Sequence, residues 1–239
     1  MAEVGGPVFL IAGGQGMRNR KGPDPLLQAV IRRAGLGRPT IAYVGTASGD
    51  DDSFRLWFVG LLRTAGAGEV ALAPLCGRRG DPQKAKVILA ASDLVLVSGG
   101  DVNDGMRHLE EKEMTTFLRR LHRSGKPFCG VSAGSIMLAQ KWVRWRDPAN
   151  DGSAELFPCL GLAPVLCDTH GEGDDWEELK TLLKLSPAGT TGYGIPSGAA
   201  IVVEPDCAII PLGGRVDRFR KRADGVVPIE SLVPERTAR

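Results

Sequence analysis

Short apolar runs alternate with amphipathic segments through the first 140 residues of the chain. The runs are four to six residues long and mostly apolar, which is typical of strands that are buried on both faces. They predict strands at 7–12, 40–44, 69–72, 93–97 and 126–131. Between them, apolar residues at helical spacing predict helices at 24–35, 54–65, 82–91 and 103–123. This order predicts an α/β fold: a doubly wound, mostly parallel sheet with helices on both faces.

The pattern changes after residue 140. It predicts a strand, a polar loop, a proline- and glycine-rich connection and a helix, at 141–146, 147–153, 156–165 and 174–185. An apolar run at 165–169 leads into a histidine, and small antiparallel strands near the C-terminus are expected at 191–195, 199–203 and 207–211. We expect a single α/β domain over residues 1–239, with a basic tail from about residue 220 that frays.

Composition narrows the class of protein. The chain has 239 residues, of which 43% are hydrophobic and 5% aromatic, and this suits an aliphatic α/β core. A net charge of +2 gives no electrostatic reason to expect binding to nucleic acid or to an anionic membrane. The oligomeric state has no signal in the sequence.

The cysteines and the N-terminal residues bear on the cellular compartment. Five cysteines without a C-x-x-C pair argue against a disulfide framework or a zinc ribbon, so we expect reduced thiols in a cytoplasmic protein. The first residues lack a basic segment followed by a long apolar run, so we expect neither a signal peptide nor a membrane span. The glycines at 13–16 do not have G-x-G-x-x-G spacing, and we expect no nucleotide, no other cofactor and no metal.

The stretch 127–139 has the order strand, sharp turn, helix. At its centre, Gly130-Val131-Ser132-Ala133-Gly134 matches the nucleophile elbow G-x-S-x-G, in which a strained turn exposes a serine hydroxyl. Glycines on both sides allow the turn to tighten without a collision of a Cβ atom. The alternative is an ordinary strand-to-helix turn with a capping serine.

A serine nucleophile needs a base, and the base needs an acid that orients it. His170 ends an apolar run, so we expect it at the same sheet edge as Ser132, whereas His108 and His122 fall among charged helical residues and are expected to be solvated. Asp147 and Glu172 are the two candidate acids, one after a predicted strand and one close to the histidine.

Three other acids are weaker candidates: Asp151, Glu155 and Asp168. Asp168 is disfavoured as a partner for His170. The N–H groups of Gly100 and Ala133 are the candidate oxyanion donors.

Four motifs in order resemble the dipeptidase E / cyanophycinase family of serine peptidases. They are Ser-Gly-Gly-Asp at 98–101, the elbow at 130–135, Asp-Thr-His at 168–170, and Gly-Ile at 194–195 followed by the apolar run 199–203. The resemblance implies a class I glutamine amidotransferase-like fold with a serine in place of the glutaminase cysteine. It also implies a Ser-His-Asp or Ser-His-Glu triad, no metal, and a small peptide substrate that contains an aspartyl residue.

Carried onto this chain, the resemblance makes Ser132 the nucleophile, His170 the base, and Gly100 and Ala133 the oxyanion hole. Asp147 matches the family's acid by its distance after the serine.

Two segments depart from the family pattern. Gly171-Glu172 after the histidine resembles the His-x-Glu of glutaminases, which keeps Glu172 as an alternative acid, and Pro196 stands where an acidic pair is usual. A substrate aspartate could be held by Arg18, Arg144 or Arg146, which are candidates by charge alone. The expected function is a dipeptidase-E-like serine peptidase that works through an acyl-enzyme. The alternatives are a small-molecule-binding or regulatory protein on the same scaffold, and a glutaminase.

Overall fold

The computed structural model describes residues 5–14, 17, 22–35, 37–147 and 149–234. Its strands are β1 Val8–Ile11, β2 Ile41–Val44, β3 Val70–Leu72, β4 Leu94–Val97, β5 Phe128–Val131, β6 Lys141–Trp145, β7 Ala154–Pro158, β8 Leu166–Thr169, β9 Thr191–Ile195, β10 Ala200–Val203, β11 Ile209–Leu212, β12 Val216–Arg222 and β13 Gly225–Leu232. Its longer helices are α1 Pro25–Arg33, α2 Asp52–Ala65, α3 Pro82–Ala91, α4 Val102–Glu111, α5 Thr115–Arg123, α6 Ala133–Leu138 and α7 Glu177–Lys184.

A seven-stranded sheet has the strand order β11-β10-β1-β5-β4-β2-β3. The five strands from β1 to β3 in this order are parallel, and β10 and β11 continue the sheet as antiparallel strands beside β1. The prediction of a mostly parallel α/β sheet with antiparallel strands from the C-terminal part is therefore confirmed.

Both faces of this sheet are covered, which explains why its central strands are continuous apolar runs. Every residue of β1, β2, β4 and β5 is buried. Successive side chains of a strand point to opposite faces, so Phe9 packs with α1 and α2 whereas Leu10 packs with the α3–α6 side. The parallel strands thus end at one edge with their backbones held rigidly between two helical layers.

A second sheet has the order β13-β12-β9-β8 and packs against α7. In it β9 pairs in parallel with β8 and antiparallel with β12. The expectation that 191–195 would form an antiparallel group with the next two strands was wrong, because Pro196 to Ala199 carry the chain from this sheet into the central one.

The expectation of a frayed tail from about residue 220 is also wrong as far as residue 232, because β12 and β13 form a paired hairpin. Phe219 is buried in this hairpin, while the basic residues lie at half-buried or exposed positions. The basic composition of this segment therefore did not predict whether its backbone forms paired strands. Residues 235–239 lie outside the described residues.

Two other boundaries differ from the sequence prediction. The helix predicted at 103–123 is divided into α4 and α5, because Glu113 has φ 54°, a left-handed value that interrupts a helix. The connection predicted from residue 156 begins instead as strand β7, which pairs antiparallel with β6. No helix in the described ranges is long and apolar enough to cross a membrane.

One histidine prediction needs correction as well. His122 is half-buried, its Nε2 lies 2.8 Å from the carbonyl oxygen of Gly6, and its ring meets Phe128 edge-on. Desolvation lowers the pKa of this imidazole, although the hydrogen bond to Gly6 opposes the shift. His122 therefore ties the N-terminal segment to α5 instead of facing solvent.

Two glycines offer a matched test of the packing around the sheet edge. A Cβ on Gly134 would lie 2.1 Å from the carbonyl oxygen of Val97, a backbone atom that cannot move aside, so Gly134→Ala should lower the free energy of unfolding by about 3 kcal/mol. Gly60, in the exposed middle of α2, has nothing within 4 Å, and Gly60→Ala should raise it by about 0.5–1 kcal/mol. Urea unfolding of both variants measures the difference, and equal effects would contradict this packing.

Candidate active site

Ser132 lies directly after β5, a central strand of the seven-stranded sheet. Its φ and ψ are 55° and −125°, which are unfavourable for a residue with a side chain. Its N–H donates to the carbonyl oxygen of Ile11 at 2.9 Å, which fixes the residue to the neighbouring strand β1. The turn therefore holds Ser132 in a strained conformation at the carboxyl edge of the sheet.

The glycines around this turn are required by close backbone contacts. A Cβ on Gly130 would lie 2.6 Å from atoms of Gly134, and a Cβ on Gly99 would lie 3.1 Å from the Cβ of Ser132. The hydroxyl of Ser132 makes no capping hydrogen bond to α6. The turn thus has the tight geometry of an elbow and does not use the serine as a helix cap.

The hydroxyl of Ser132 instead meets a histidine. Its Oγ lies 2.8 Å from Nε2 of His170, and the N–H of His170 donates to the carbonyl oxygen of Ile195 at 2.9 Å. His170 follows β8, so it comes from the second sheet and not from the edge of the central one as expected. The Cys167 thiol contacts the carbonyl oxygen of Ser135 at 3.9 Å, which shows the α6–β8 packing that brings the two residues together.

Glu172 lies in a short helix two residues after His170. Its Oε1 accepts the N–H of Ser197 at 3.1 Å. Desolvation acts to raise the pKa of this carboxyl, but hydrogen bonds from its own backbone and from Ser197, together with the nearby His170, hold the pKa below its usual value. Glu172 is therefore an ionised group within electrostatic range of the histidine.

Asp147 lies in an exposed loop after β6. Its carboxylate accepts the N–H of Ala149 at 3.0 Å, and its own N–H donates to Ser153. Within the described ranges it makes no hydrogen bond to His170. Glu172 also makes no hydrogen bond to His170 among the described residues, but unlike Asp147 it lies close enough to interact electrostatically with the imidazole. Of the weaker candidates, Glu155 is bound to two arginines.

Asp168, another of the weaker candidate acids, has an unusual environment. Its side chain is only 7% exposed, and Oδ1 accepts the N–H of Thr169 at 2.7 Å. The pKa of this carboxyl is raised to about 7, mainly by burial and also by the nearby carboxylates of Glu178 and Asp174, while backbone hydrogen bonds oppose the shift. It makes no hydrogen bond to His170 in the part of the chain that the structure describes.

The two candidate oxyanion donors, Gly100 and Ala133, line the same cavity as Ser132. Ala133 is the first residue of α6, and the first N–H groups of a helix have no partner within it. Gly100 has φ 142°, and a Cβ there would lie 2.0 Å from the carbonyl oxygen of Ala47. The N–H of Asp101 donates to that same oxygen at 2.8 Å, which fixes the turn that carries Gly100.

Two cavities meet at Ser132, and Gly100 and His170 line both of them. The larger, of about 590 Å³, has an aromatic wall of Phe54, Trp57 and Phe58 from α2. The smaller, of about 290 Å³, has four carboxylates in its wall: Asp101, Asp168, Asp174 and Glu178. The candidate nucleophile therefore lies between an apolar space and an acidic one.

The arginines considered for a substrate aspartate lie elsewhere or are already paired. Arg144 and Arg146 both bind Glu155, and Arg144 also donates to Asn103. Arg18 lies outside the described residues. Among the described residues, no arginine or lysine lines either of the two cavities at Ser132.

Thiol chemistry has little support in the described residues around Ser132. Cys129, three residues before Ser132, is completely buried, and burial raises the pKa of its thiol. It therefore does not supply the thiolate that a glutaminase needs. No group of three or more metal-ligating side chains occurs in the ranges that the structure describes.

Comparison with known proteins assigns the family. The sequence model of peptidase family S51 matches residues 8–210. The chain belongs to this family. The matched range begins at β1 and ends within β11, so it includes the elbow, the histidine and both predicted oxyanion donors.

Solved structures share the fold. A peptidase from an acI-B1 actinobacterium superimposes with a TM-score of 0.67 at 16% identity, covering 98% of both chains. A candidate peptidase E protein from Listeria monocytogenes EGD-e superimposes with a TM-score of 0.61 at 14% identity, covering 87% of this chain and 98% of its own. At these identities the likeness concerns the fold.

Curated relatives connect the chain with amidotransferases. Subunit HisH 1 of imidazole glycerol phosphate synthase from Legionella pneumophila strain Lens is 28% identical over 134 residues, and the match covers 49% of this chain. The chain spans 61% of the length of that relative. These matches agree with the predicted glutamine amidotransferase-like fold.

The aromatic wall was missed as part of the site. The helical spacing of residues 54–65 predicted that Trp57 and Phe58 pack in the core, and Phe58 does, but Trp57 and Phe54 are only half-buried and face the cavity. The available signal was composition: three of the thirteen aromatic residues of the chain fall within five positions.

The raised pKa of Asp168 predicts a dependence of stability on pH. A carboxyl with a pKa near 7 in the folded state and near 4 when unfolded contributes most at low pH, and that stability is lost as the pH rises from about 4 to about 7. The loss is about 1.4 kcal/mol for each unit by which folding raises the pKa. Asp168→Asn should remove this part of the pH dependence, which urea unfolding between pH 4 and pH 8 measures. Parallel pH profiles for the two proteins would contradict the assignment.

Proposed function

We propose that this chain is a serine-type peptidase that acts on small peptides. The observation that carries the proposal is the 2.8 Å approach of Ser132 Oγ to His170 Nε2 at a strained turn. A strained, glycine-flanked serine beside an imidazole is the arrangement that activates a hydroxyl for attack on a carbonyl. Membership of peptidase family S51 supports the same reaction class.

The reaction proceeds through an acyl-enzyme. Ser132 attacks the scissile carbonyl carbon while His170 takes the hydroxyl proton, and the N–H groups of Gly100 and Ala133 stabilise the negative oxygen that forms. His170 then gives the proton to the leaving amine as the C–N bond breaks. Water, deprotonated by His170, hydrolyses the ester, and the proton returns to Ser132.

We assign the orienting acid to Glu172. Its lowered pKa keeps it ionised, and His170 is among the groups that lower it. Such a carboxylate stabilises the imidazolium that forms during attack. Asp147, the acid that the family resemblance indicates, is engaged in its own loop.

The aspartyl preference of the resembled family remains a prediction for this chain. Arg144 and Arg146 are poor candidates to hold a substrate carboxylate because Glu155 already neutralises them. The cytoplasmic location also remains a prediction from the cysteine pattern.

The nucleophile can be tested by covalent labelling. The protein should take up one equivalent of a fluorophosphonate, which intact-mass spectrometry detects, and Ser132→Ala should lose both the adduct and peptide turnover while it keeps the circular-dichroism spectrum of the parent. Ser135→Ala is a control for a neighbouring hydroxyl, since Ser135 is buried and donates to the carbonyl oxygen of Ile11. An adduct that persists in Ser132→Ala would overturn the assignment. A folded parent protein without an adduct would favour a binding or regulatory role.

The two candidate acids form a matched pair of variants. Glu172→Gln should lower kcat by about 10²-fold or more because the imidazolium loses its stabilising charge, whereas Asp147→Asn should stay within about twofold of the parent. The measurement is kcat and its pH profile on a peptide substrate. The reverse order of effects would return the role to Asp147.

A further inference from the structure

We propose that the 590 Å³ cavity beside Ser132 binds a bulky apolar side chain of the peptide, above all an aromatic one. This inference rests on the proposed peptidase function and names its substrate class. Ser132 and His170 form part of the cavity wall, so a side chain one residue from the scissile bond can enter it. Because the cavity is continuous with the reacting groups, its occupant is a part of the substrate.

Three rings of α2 form the apolar wall. Phe54 and Trp57 are stacked with centroids 5.7 Å apart, and Phe58 meets Phe54 edge-on at 5.1 Å and Trp57 edge-on at 4.8 Å. Phe54 and Trp57 nevertheless stay half-buried, because one side of this cluster borders the cavity. An aromatic ring of the substrate would complete the cluster with the offset or edge-on contacts that such rings prefer.

The charges at the cavity favour an uncharged occupant. Among the described residues of its wall, only Asp51 and His170 have a titratable side chain that can carry a charge near neutral pH. Asp51 accepts the N–H of Phe54 at 2.7 Å and so caps α2. A substrate carboxylate in this cavity would lie near the Asp51 carboxylate, and no lysine or arginine among the described lining residues would pair with it.

The smaller cavity does not accept a carboxylate either. Asp168 and Glu178 lie in its wall, and the pKa of Asp168 is raised partly because acidic groups are crowded there. Among the described residues, neither of the two spaces that adjoin Ser132 offers a lysine or an arginine to an acidic side chain. The large apolar cavity is the space with the contacts to discriminate one peptide from another.

The size of the expected effect follows from burial of apolar area. Adding one methylene to a substrate group that binds in an apolar pocket raises kcat/KM by about 10- to 200-fold. A whole aromatic ring should therefore raise kcat/KM by more than the lower end of this range. We expect kcat/KM for a peptide with phenylalanine at the position that enters the cavity to exceed that for alanine by at least about 30-fold.

The test measures kcat/KM for the cleavage of four dipeptides by each of three proteins. The peptides are Phe-Ala, Ala-Phe, Asp-Ala and Ala-Ala, and the proteins are the parent, Trp57→Ala and Leu56→Ala. Leu56 is the matched control because it neighbours Trp57 on α2, is 60% exposed and does not line the cavity. One of the two phenylalanine peptides should be cleaved best by the parent, and its identity shows which side of the scissile bond the cavity serves.

The variants should separate recognition from chemistry. Trp57→Ala should lower the phenylalanine-to-alanine ratio of kcat/KM about tenfold, whereas Leu56→Ala should leave both that ratio and the Ala-Ala value within about twofold of the parent. A second readout does not require turnover, because a bound peptide slows the labelling of Ser132 by a fluorophosphonate. The preferred phenylalanine peptide should slow labelling at a concentration at least about tenfold lower than the concentration of Ala-Ala that has the same effect. Trp57→Ala should abolish this difference between the two peptides.

The outcomes distinguish this inference from the peptidase assignment. Labelling of Ser132 without any preference for phenylalanine in either readout would overturn the inference and leave the proposed function standing. The same holds if Asp-Ala is preferred and Trp57→Ala has no effect. Absence of both labelling and turnover would overturn the proposed function and this inference together.

Discussion

The site depends on one strained turn. Ser132 has a positive φ that a residue with a side chain adopts only when its surroundings impose it, and here β1, β4 and β5 impose it together. Its N–H is held by Ile11, and the glycine at 134 lies against the carbonyl of Val97, where no larger residue fits. Packing of the sheet edge thus supplies the energy that keeps the hydroxyl exposed and in place.

A second sheet completes the site. The histidine that meets Ser132 stands at the end of β8, whose partners are β9 and, through β9, the C-terminal hairpin. Because His170 donates its N–H to Ile195 at the end of β9, its position is set by this sheet and by the packing of α6 on β8. The basic composition of the C-terminal segment suggested a loose tail. The hairpin that it forms instead helps to hold the histidine in position.

Charge is distributed unevenly around the reacting groups. Carboxylates gather on one side of Ser132, where one of them is buried deeply enough for its pKa to approach neutrality. Aromatic rings gather on the other side. Glu172 does not line the acidic cavity, and its carboxylate accepts the N–H of Ser197. The two sides of the nucleophile thus offer different environments to the two halves of a peptide.

The sequence by itself determined the central sheet, the elbow and the histidine, because each depends on a local pattern: continuous apolar runs, glycines at fixed positions around Ser132, and an apolar run that ends in His170. The choice between Asp147 and Glu172 could not be made locally, because spacing along the chain favours Asp147 whereas the surroundings of each carboxylate depend on the fold. The same holds for the aromatic rings of α2, among which helical spacing placed Trp57 and Phe58 in the core. Only the tertiary structure decided that one side of their ring cluster is open, because a cavity is formed by elements distant in sequence, here α2 and the ends of β1, β4, β5 and β8.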